Sequence, residues 1–267
     1  MPEEIETLFV SRIAQMSKGQ LGVLALVFDA LERSIKSTSL PGSNLATPEF
    51  VMSFGDLLKV HHGLSGDYLD KSRFEAGLER ILKAEGRKAI RPLSRTNKGF
   101  DITVDGERWS LKTEGSQKIN SEKLRIGKVI ELGGDSWGTT DVGDLVRLRN
   151  RFLEHLNGFD RVFQLRYFRC PSDDGKLIHK YELVEIPKSL LLEAKDGELS
   201  FGANSRQNPR TGKCVQRSQS GEVRFQLDFV GAQARQLAIS RLMKSLCVLH
   251  ATWEFATAFE AESNEDT

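Results

Sequence analysis

The sequence predicts an α/β (α+β) domain in which a mixed central β-sheet is flanked by helices. Three observations carry this. Long stretches near both ends repeat apolar residues at helical spacing. The middle of the chain holds short runs that alternate apolar and polar residues, two of them joined by the turn pair Asp105-Gly106. The two periodicities also interleave along the chain, which suits helices covering a sheet better than two separate domains.

Taken in order, residues 4–36 read as helical on Leu8, Ile13, Leu21, Leu24, Val27, Phe28 and Leu31, with Gly19 or Gly22 offering a break. The Ser-, Pro- and Gly-rich segment 37–49 reads as a loop. Helices follow over 50–62 and over 72–84, the second carrying Phe74, Leu78, Ile81 and Leu82. Residues 100–104 and 108–113 read as strands of a hairpin. Helices are expected over 121–132 and 142–156, then strands over 161–169 and 177–186. Pro187 ends that run before a short helix in Ser189–Ala194. Residues 200–221 read as a polar loop, 223–229 as a strand and 232–259 as a long amphipathic helix. The acidic end, 261–267, is expected to be disordered.

Composition narrows the class. With 267 residues, 39% of them hydrophobic, the chain buries a substantial core and is neither disordered nor fibrous. Thirty-eight basic residues against thirty-seven acidic ones leave a net charge of +1, so any basic surface is local. Three dispersed cysteines without a CxxC pair argue against a zinc site and fit a reducing compartment. No apolar run approaches the roughly 20 residues of a membrane span, and the acidic start lacks a signal-peptide pattern, so a cytoplasmic protein is expected. Phosphate-cradling glycine motifs are absent, which disfavours a nucleotide cofactor.

The chemistry concentrates in the hairpin. Alternation puts Trp109, Leu111 and Thr113 on one face of the second strand and Ser110, Lys112 and Glu114 on the other. Asp101 lies on the first strand, within reach of that second face. An acid on one strand and a lysine facing it from the next can hold a divalent cation and orient a water, as phosphodiester hydrolysis requires. An ordinary solvated strand face has the same composition.

Asp101 followed by Ser110-Leu111-Lys112, set between helices, resembles the PD-(D/E)xK nuclease superfamily, especially type II restriction endonucleases. The likeness spans about residues 72–170 and implies a restriction-endonuclease-like core with Mg²⁺ as cofactor. It further implies double-stranded DNA as substrate and a homodimer. Ser110 departs from the family pattern, which has Asp or Glu there; some restriction enzymes with Ser at this place supply the acid from the following helix. On a helix over 121–132, Ile126, Val129 and Ile130 fall within about 80° of Glu122, whereas Glu131 faces away. A carboxylate aimed at the core is costly unless paired or metal-bound, which selects Glu122 as the second metal ligand beside Asp101. Glu114 is its rival, Glu79 an outer ligand through water, and the Leu111 carbonyl a further oxygen donor. Lys112 is expected to orient or activate the attacking water.

The segment 205–220 is the most basic and amide-rich part of the chain, with Arg206, Gln207, Asn208, Arg210, Lys213, Gln216 and Arg217. Arg suits guanine edges, Asn and Gln suit adenine edges, and Lys and Arg also grip phosphates. This loop is the expected DNA reader, with a solvated loop as the alternative. Lys118, Lys123, Arg125 and Lys128 lie near the expected site and suit either the DNA backbone or plain solubility. Arg147, Arg149 and Arg151 do not share one helical face. The five histidines show no ligand spacing.

The expectation is therefore one endonuclease domain, 1–267. A helical N-terminal part covers 1–70, the catalytic core 72–170, and the completing strands, DNA-reading loop and C-terminal helix 171–260. A strand-nicking repair or mismatch nuclease of the same core and a non-cleaving DNA-binding module remain alternatives.

Overall fold

The computed structural model describes residues 2–92, 99–116, 119–133, 137, 141–172, 176–202, 208–231 and 235–258. Two helices, α1 (Pro2–Ala14) and α2 (Lys18–Glu32), open the chain, and a capping box between Ser17 and Gln20 starts the second. A short strand, β1 (Ile35–Ser39), follows where the sequence suggests a loop. Thr47 caps α3 (Pro48–Leu64) with Pro48 at the first position, and Asp70 caps α4 (Lys71–Ala84). The strands β2 (Ala89–Ile90), β3 (Ile102–Val104) and β4 (Glu107–Glu114) come next. Asp105 (φ 51°) and Gly106 (φ 93°) make the two-residue turn between β3 and β4, with both residues left-handed as a type I′ turn requires.

Residues 121–132 are not helical: β5 (Lys123–Glu131) is a strand. Its buried Leu124 and Ile126 alternate, and across the register shift between Ile126 and Ile130 the adjacent Val129 and Ile130 are both half-buried. That shift is what gives the sequence its helix-like spacing. Helix α5 (Val142–His155) then crosses to β6 (Arg161–Pro171), which returns as β7 (Lys176–Ile186). The short α6 (Lys188–Leu192) follows Pro187.

Among the described residues after Gly197 the elements are strands, β8 (Glu198–Phe201), β9 (Gly212–Arg217), β10 (Val223–Val230), β11 (Gln236–Met243) and β12 (Val248–Ala258), with one 3₁₀ turn, Lys244–Leu246, before the last. This corrects both the loop expected over 200–221 and the long helix expected over 232–259. Register shifts beside Ile239, with Arg241 at φ 56°, offset Leu242 from Leu237 and Ile239 and imitate a helical repeat. The acidic end lies outside the described residues.

A seven-stranded sheet runs β1-β12-β7-β6-β4-β3-β2, mixed because β4 and β6 pair in parallel while its other pairs are antiparallel. A second, antiparallel sheet runs β5-β11-β10-β9-β8. One core packs α3 and α4 on the first sheet through Phe54, Phe74, Trp109, Leu111, Phe163 and Trp253. The other packs α5 and the second sheet on the opposite face through Leu148, Phe152, Val162, Ile186, Phe225 and Ile239. Arg166, fully buried in β6, joins the two sheets. It donates to Glu114 at 3.1 Å, to Glu182 at 3.0 Å and to the Lys123 carbonyl at 3.1 Å.

Candidate active site

The β3–β4 hairpin and β5 diverge to leave a cleft of about 950 Å³, closed at one end by α5. Asp101, Ser110 and Lys112 form one wall, residues 126–131 of β5 face them, and Glu154 and His155 come from α5. Two features place Asp101. Its N–H donates to the Trp109 carbonyl at 2.8 Å, which extends the hairpin register. Just before it, the Gly99 backbone lies against Gly158, where a Cβ would come within 3.0 Å of the Gly99 Cα. A side chain there would push the two backbones apart by a few tenths of an ångström.

The Asp101 carboxylate is held from both sides. The Leu111 N–H donates to Oδ2 at 2.6 Å, and the Ser110 hydroxyl donates to the same oxygen at 3.4 Å. Lys71, in the first turn of α4, donates to Oδ1 at 2.8 Å and also approaches Glu75 at 3.4 Å. One ammonium thus lies between two carboxylates. Burial and the neighbouring Asp101 push the Glu75 carboxyl above its usual range. Burial works against the charge of Lys71, but Asp101 and Glu75 outweigh it and hold its pKa above the ordinary value. Burial lowers the pKa of Lys112 although Asp101 opposes the shift. Burial and the Lys112 charge likewise lower that of His155.

The structure brings Asp101, Ser110 and Lys112 together. Glu122 stands elsewhere: it is exposed, and its N–H is taken by the Asn120 side chain. With β5 a strand, the helical-stripe argument for Glu122 lapses. Glu114 faces the same side of β4 but is engaged by Arg166, and burial outweighs that pairing to raise its pKa. Glu79 pairs with Lys83 and Arg91. The Leu111 side chain is buried in the first core; a strand residue points its N–H and C=O to the same side, so its carbonyl opens toward Asp101.

Sequence reasoning passed over Glu75, Lys71 and His155. Glu75 was accessible: on the α4 helix it lies within about 20° of Leu82 and 60° of Leu78, beside the apolar stripe. The stripe test that selected Glu122 points to Glu75 when applied to this helix. Lys71 and His155 reach the cleft from separate elements and carry no local signal.

Of the expected DNA-reading residues, Arg206 and Gln207 lie outside the described residues. Asn208 and Arg217 are exposed, and Lys213 and Gln216 are partly so. Arg210 donates to the Gly202 carbonyl at 2.8 Å, and Arg217 approaches Glu198 at 3.6 Å. Strand β9 is three strand spacings from β5, about 14 Å from the cleft wall. On the wall itself, Lys128 pairs with Glu131.

Asp101, Leu111 and Glu75 offer hard oxygen donors, and a Mg²⁺-type ion needs only one or two carboxylates, with water and phosphate oxygens completing its shell. Among the described residues no three His, Cys, Asp or Glu side chains form a ready-made cage. No helix among them is long and apolar enough to cross a membrane.

A mixed sheet flanked by helices, with an acid–lysine hairpin at a cleft, fits the restriction-endonuclease-like class of nuclease. The family model for SmaI, type II site-specific deoxyribonuclease, matches residues 10–255. The type II restriction enzyme SmaI of Serratia marcescens is 36% identical over 225 residues, which cover 84% of this chain and 86% of that one. No solved structure matches. The chain belongs to the SmaI family of type II site-specific deoxyribonucleases. It is a sequence-specific restriction endonuclease acting on DNA, and enzymes of this class generally need a divalent metal ion.

Proposed function

We propose that this endonuclease cleaves double-stranded DNA in the Asp101–Lys112 cleft, with Mg²⁺ as its cofactor, and acts as a homodimer. The observation that carries the reading is the convergence of the Asp101 and Glu75 carboxylates on one ammonium beside Lys112. That is the electrostatic setting a divalent cation would satisfy. Asp101 and Glu75 would hold the ion, with the Leu111 carbonyl as a further donor; Glu114 and Glu122 are the less favoured carboxylates. When bound, the ion supplies Lewis-acid charge for the phosphate and lowers the pKa of a coordinated water.

The protein's own groups supply the rest. Ser110 and the Leu111 N–H fix the rotamer of Asp101. Lys112 orients the attacking water and offsets charge as the phosphorus–oxygen bond breaks. Its lowered pKa eases proton exchange with that water. Asn208, Arg210, Lys213, Gln216 and Arg217, with Arg206 and Gln207, would contact bases and phosphates beyond the cleft. Cutting both strands at one site calls for two centres, which two copies of the chain provide.

Plasmid digestion tests this. Wild-type protein with Mg²⁺ yields discrete fragments. Lys112→Ala and Asp101→Asn lower the rate by about a thousandfold while specific DNA binding persists in Ca²⁺. Undiminished cutting by Lys112→Ala refutes the lysine assignment.

A further inference from the structure

Lys112 is a donor without an acceptor. Among the described residues no carboxylate, carbonyl or hydroxyl holds its ammonium, although Lys71, in the same cleft, takes the carboxylates of Asp101 and Glu75. Gln164, on β6, is an acceptor without a donor. It is fully buried, and its Oε1 has no hydrogen-bond partner among the described residues. A buried amide oxygen left unpaired is uncommon and costly. The parallel pairing of β4 with β6 sets Lys112 opposite Gln164. The two share a face. Leu111, Phe163 and Leu165 enter the first core, so Lys112 and Gln164 project from the other side of the sheet, toward β5. On the next rung of that face Arg166 bonds Glu114 at 3.1 Å, so side chains paired in this register do reach each other.

Gln164 is itself held in place. Its Nε2 donates to the Arg125 carbonyl of β5 at 2.7 Å. That bond runs from the main sheet to the strand that forms the opposite cleft wall, and it settles which end of the amide is nitrogen. The oxygen is the end left for Lys112. We propose that Gln164 is a positioning residue for the cleavage reaction: its Oε1 accepts one N–H of the Lys112 ammonium when metal and DNA fill the cleft. An ammonium has three N–H groups on a flexible stem. Fixing one against Gln164 aims the other two at the attacking water and a phosphate oxygen. Gln164 touches neither and acts only through Lys112. The inference rests on the role proposed for Lys112 above and adds what holds that lysine in place.

Single-turnover cleavage of a duplex spanning one mapped plasmid cut, with Mg²⁺, tests it on wild type, Gln164→Met, Lys112→Met and the double variant. Gln164→Met should slow the cleavage step about 10- to 100-fold while DNA affinity in Ca²⁺ stays near that of the wild type. In the Lys112→Met background the same substitution should cost no more than about twofold, because its route of action is gone. Equal costs in the two backgrounds mean that Gln164 only braces β5, and overturn the inference. An unchanged rate in Gln164→Met overturns it too, and the Lys112 reading survives if Lys112→Met is slow. Undiminished cutting by Lys112→Met removes both. Should Gln164→Met misfold, a crystal structure of the unmutated protein with that duplex and Ca²⁺ decides. Nζ of Lys112 within about 3.2 Å of Oε1 supports the inference. A longer separation, or a water on Oε1 with the ammonium turned away, overturns it.

Discussion

Lys71→Met replaces the ammonium between Asp101 and Glu75 with an apolar chain of similar length. The Lys71–Asp101 contact is 2.8 Å, but the lysine side chain is 44% exposed, so solvent screens the pair and its net worth is about 1 kcal/mol. A cation binding to the same carboxylates must first overcome that pairing and then accept a positive neighbour. Removing Lys71 should therefore tighten metal binding by about 1 kcal/mol, or about fivefold in dissociation constant. Calorimetric titration with Ca²⁺ at low ionic strength and pH 7.5 reads this directly, without turnover. A second signature has a different sign. The lysine's contribution to keeping Glu75 ionised disappears while burial and Asp101 still raise its pKa, so metal binding by the variant should weaken sooner as pH falls. Unchanged or weaker Ca²⁺ binding at pH 7.5 would show that Lys71 does not compete for the ion, and would remove the argument that these two carboxylates form its site.

Other expectations follow from the interior. The His62 and His179 rings lie 3.9 Å apart between centroids, tilted by 38°, and burial first, then neighbouring positive charge, lowers their pKa values to about 2 and about 4 from 6.5. The unfolded chain takes up protons below pH 6.5 and the folded chain does not. Stability should thus fall by about 2 kcal/mol per histidine between pH 6.5 and 5, measured by urea unfolding. Glu75 and Glu114, both raised, shift the balance the other way on acidification, and Glu185, lowered to about 2, matters only below its ordinary range. With those two opposing carboxyls removed, in Glu75→Gln/Glu114→Gln protein, a flat profile between pH 7.5 and 5 would contradict two neutral histidines. Arg166→Met leaves Glu114 and Glu182 buried without their shared partner and should cost about 3–5 kcal/mol in the same assay. Gly106→Ala puts a Cβ on a residue at φ 93° and should cost about 1–2 kcal/mol, seen as a melting shift of a few degrees.

The hairpin with Asp101, Ser110 and Lys112 was legible because its signals are local: a two-residue turn with its own chemistry and strict alternation on either side. Helices α3, α4 and α5 were legible for the same reason, each with an apolar stripe and a capping residue. Strands β5 and β11 were not. Their bulges set Val129 and Ile130, and later Leu242, at spacings a helix would also produce, and only pairing with a neighbour distinguishes the two. In β12 the sequence did hold a warning: Val248, Thr252, Trp253, Phe255 and Thr257 are β-branched or aromatic types that favour a pleated surface over a helix. Strand β1 carries a single apolar residue, Ile35, and forms only because β12 lies open beside it.

By itself, the order of residues determined the mixed architecture and the acid–lysine pair, because turn conformation and side-chain alternation depend on neighbours a few positions apart. The folded arrangement decided which carboxylate joins Asp101. Glu75, Lys71 and His155 come from helices far along the chain, and their meeting depends on how α4 and α5 pack against opposite faces of one sheet. That packing is set by long-range burial of Phe74, Leu78, Leu148 and Phe152, which no local pattern encodes.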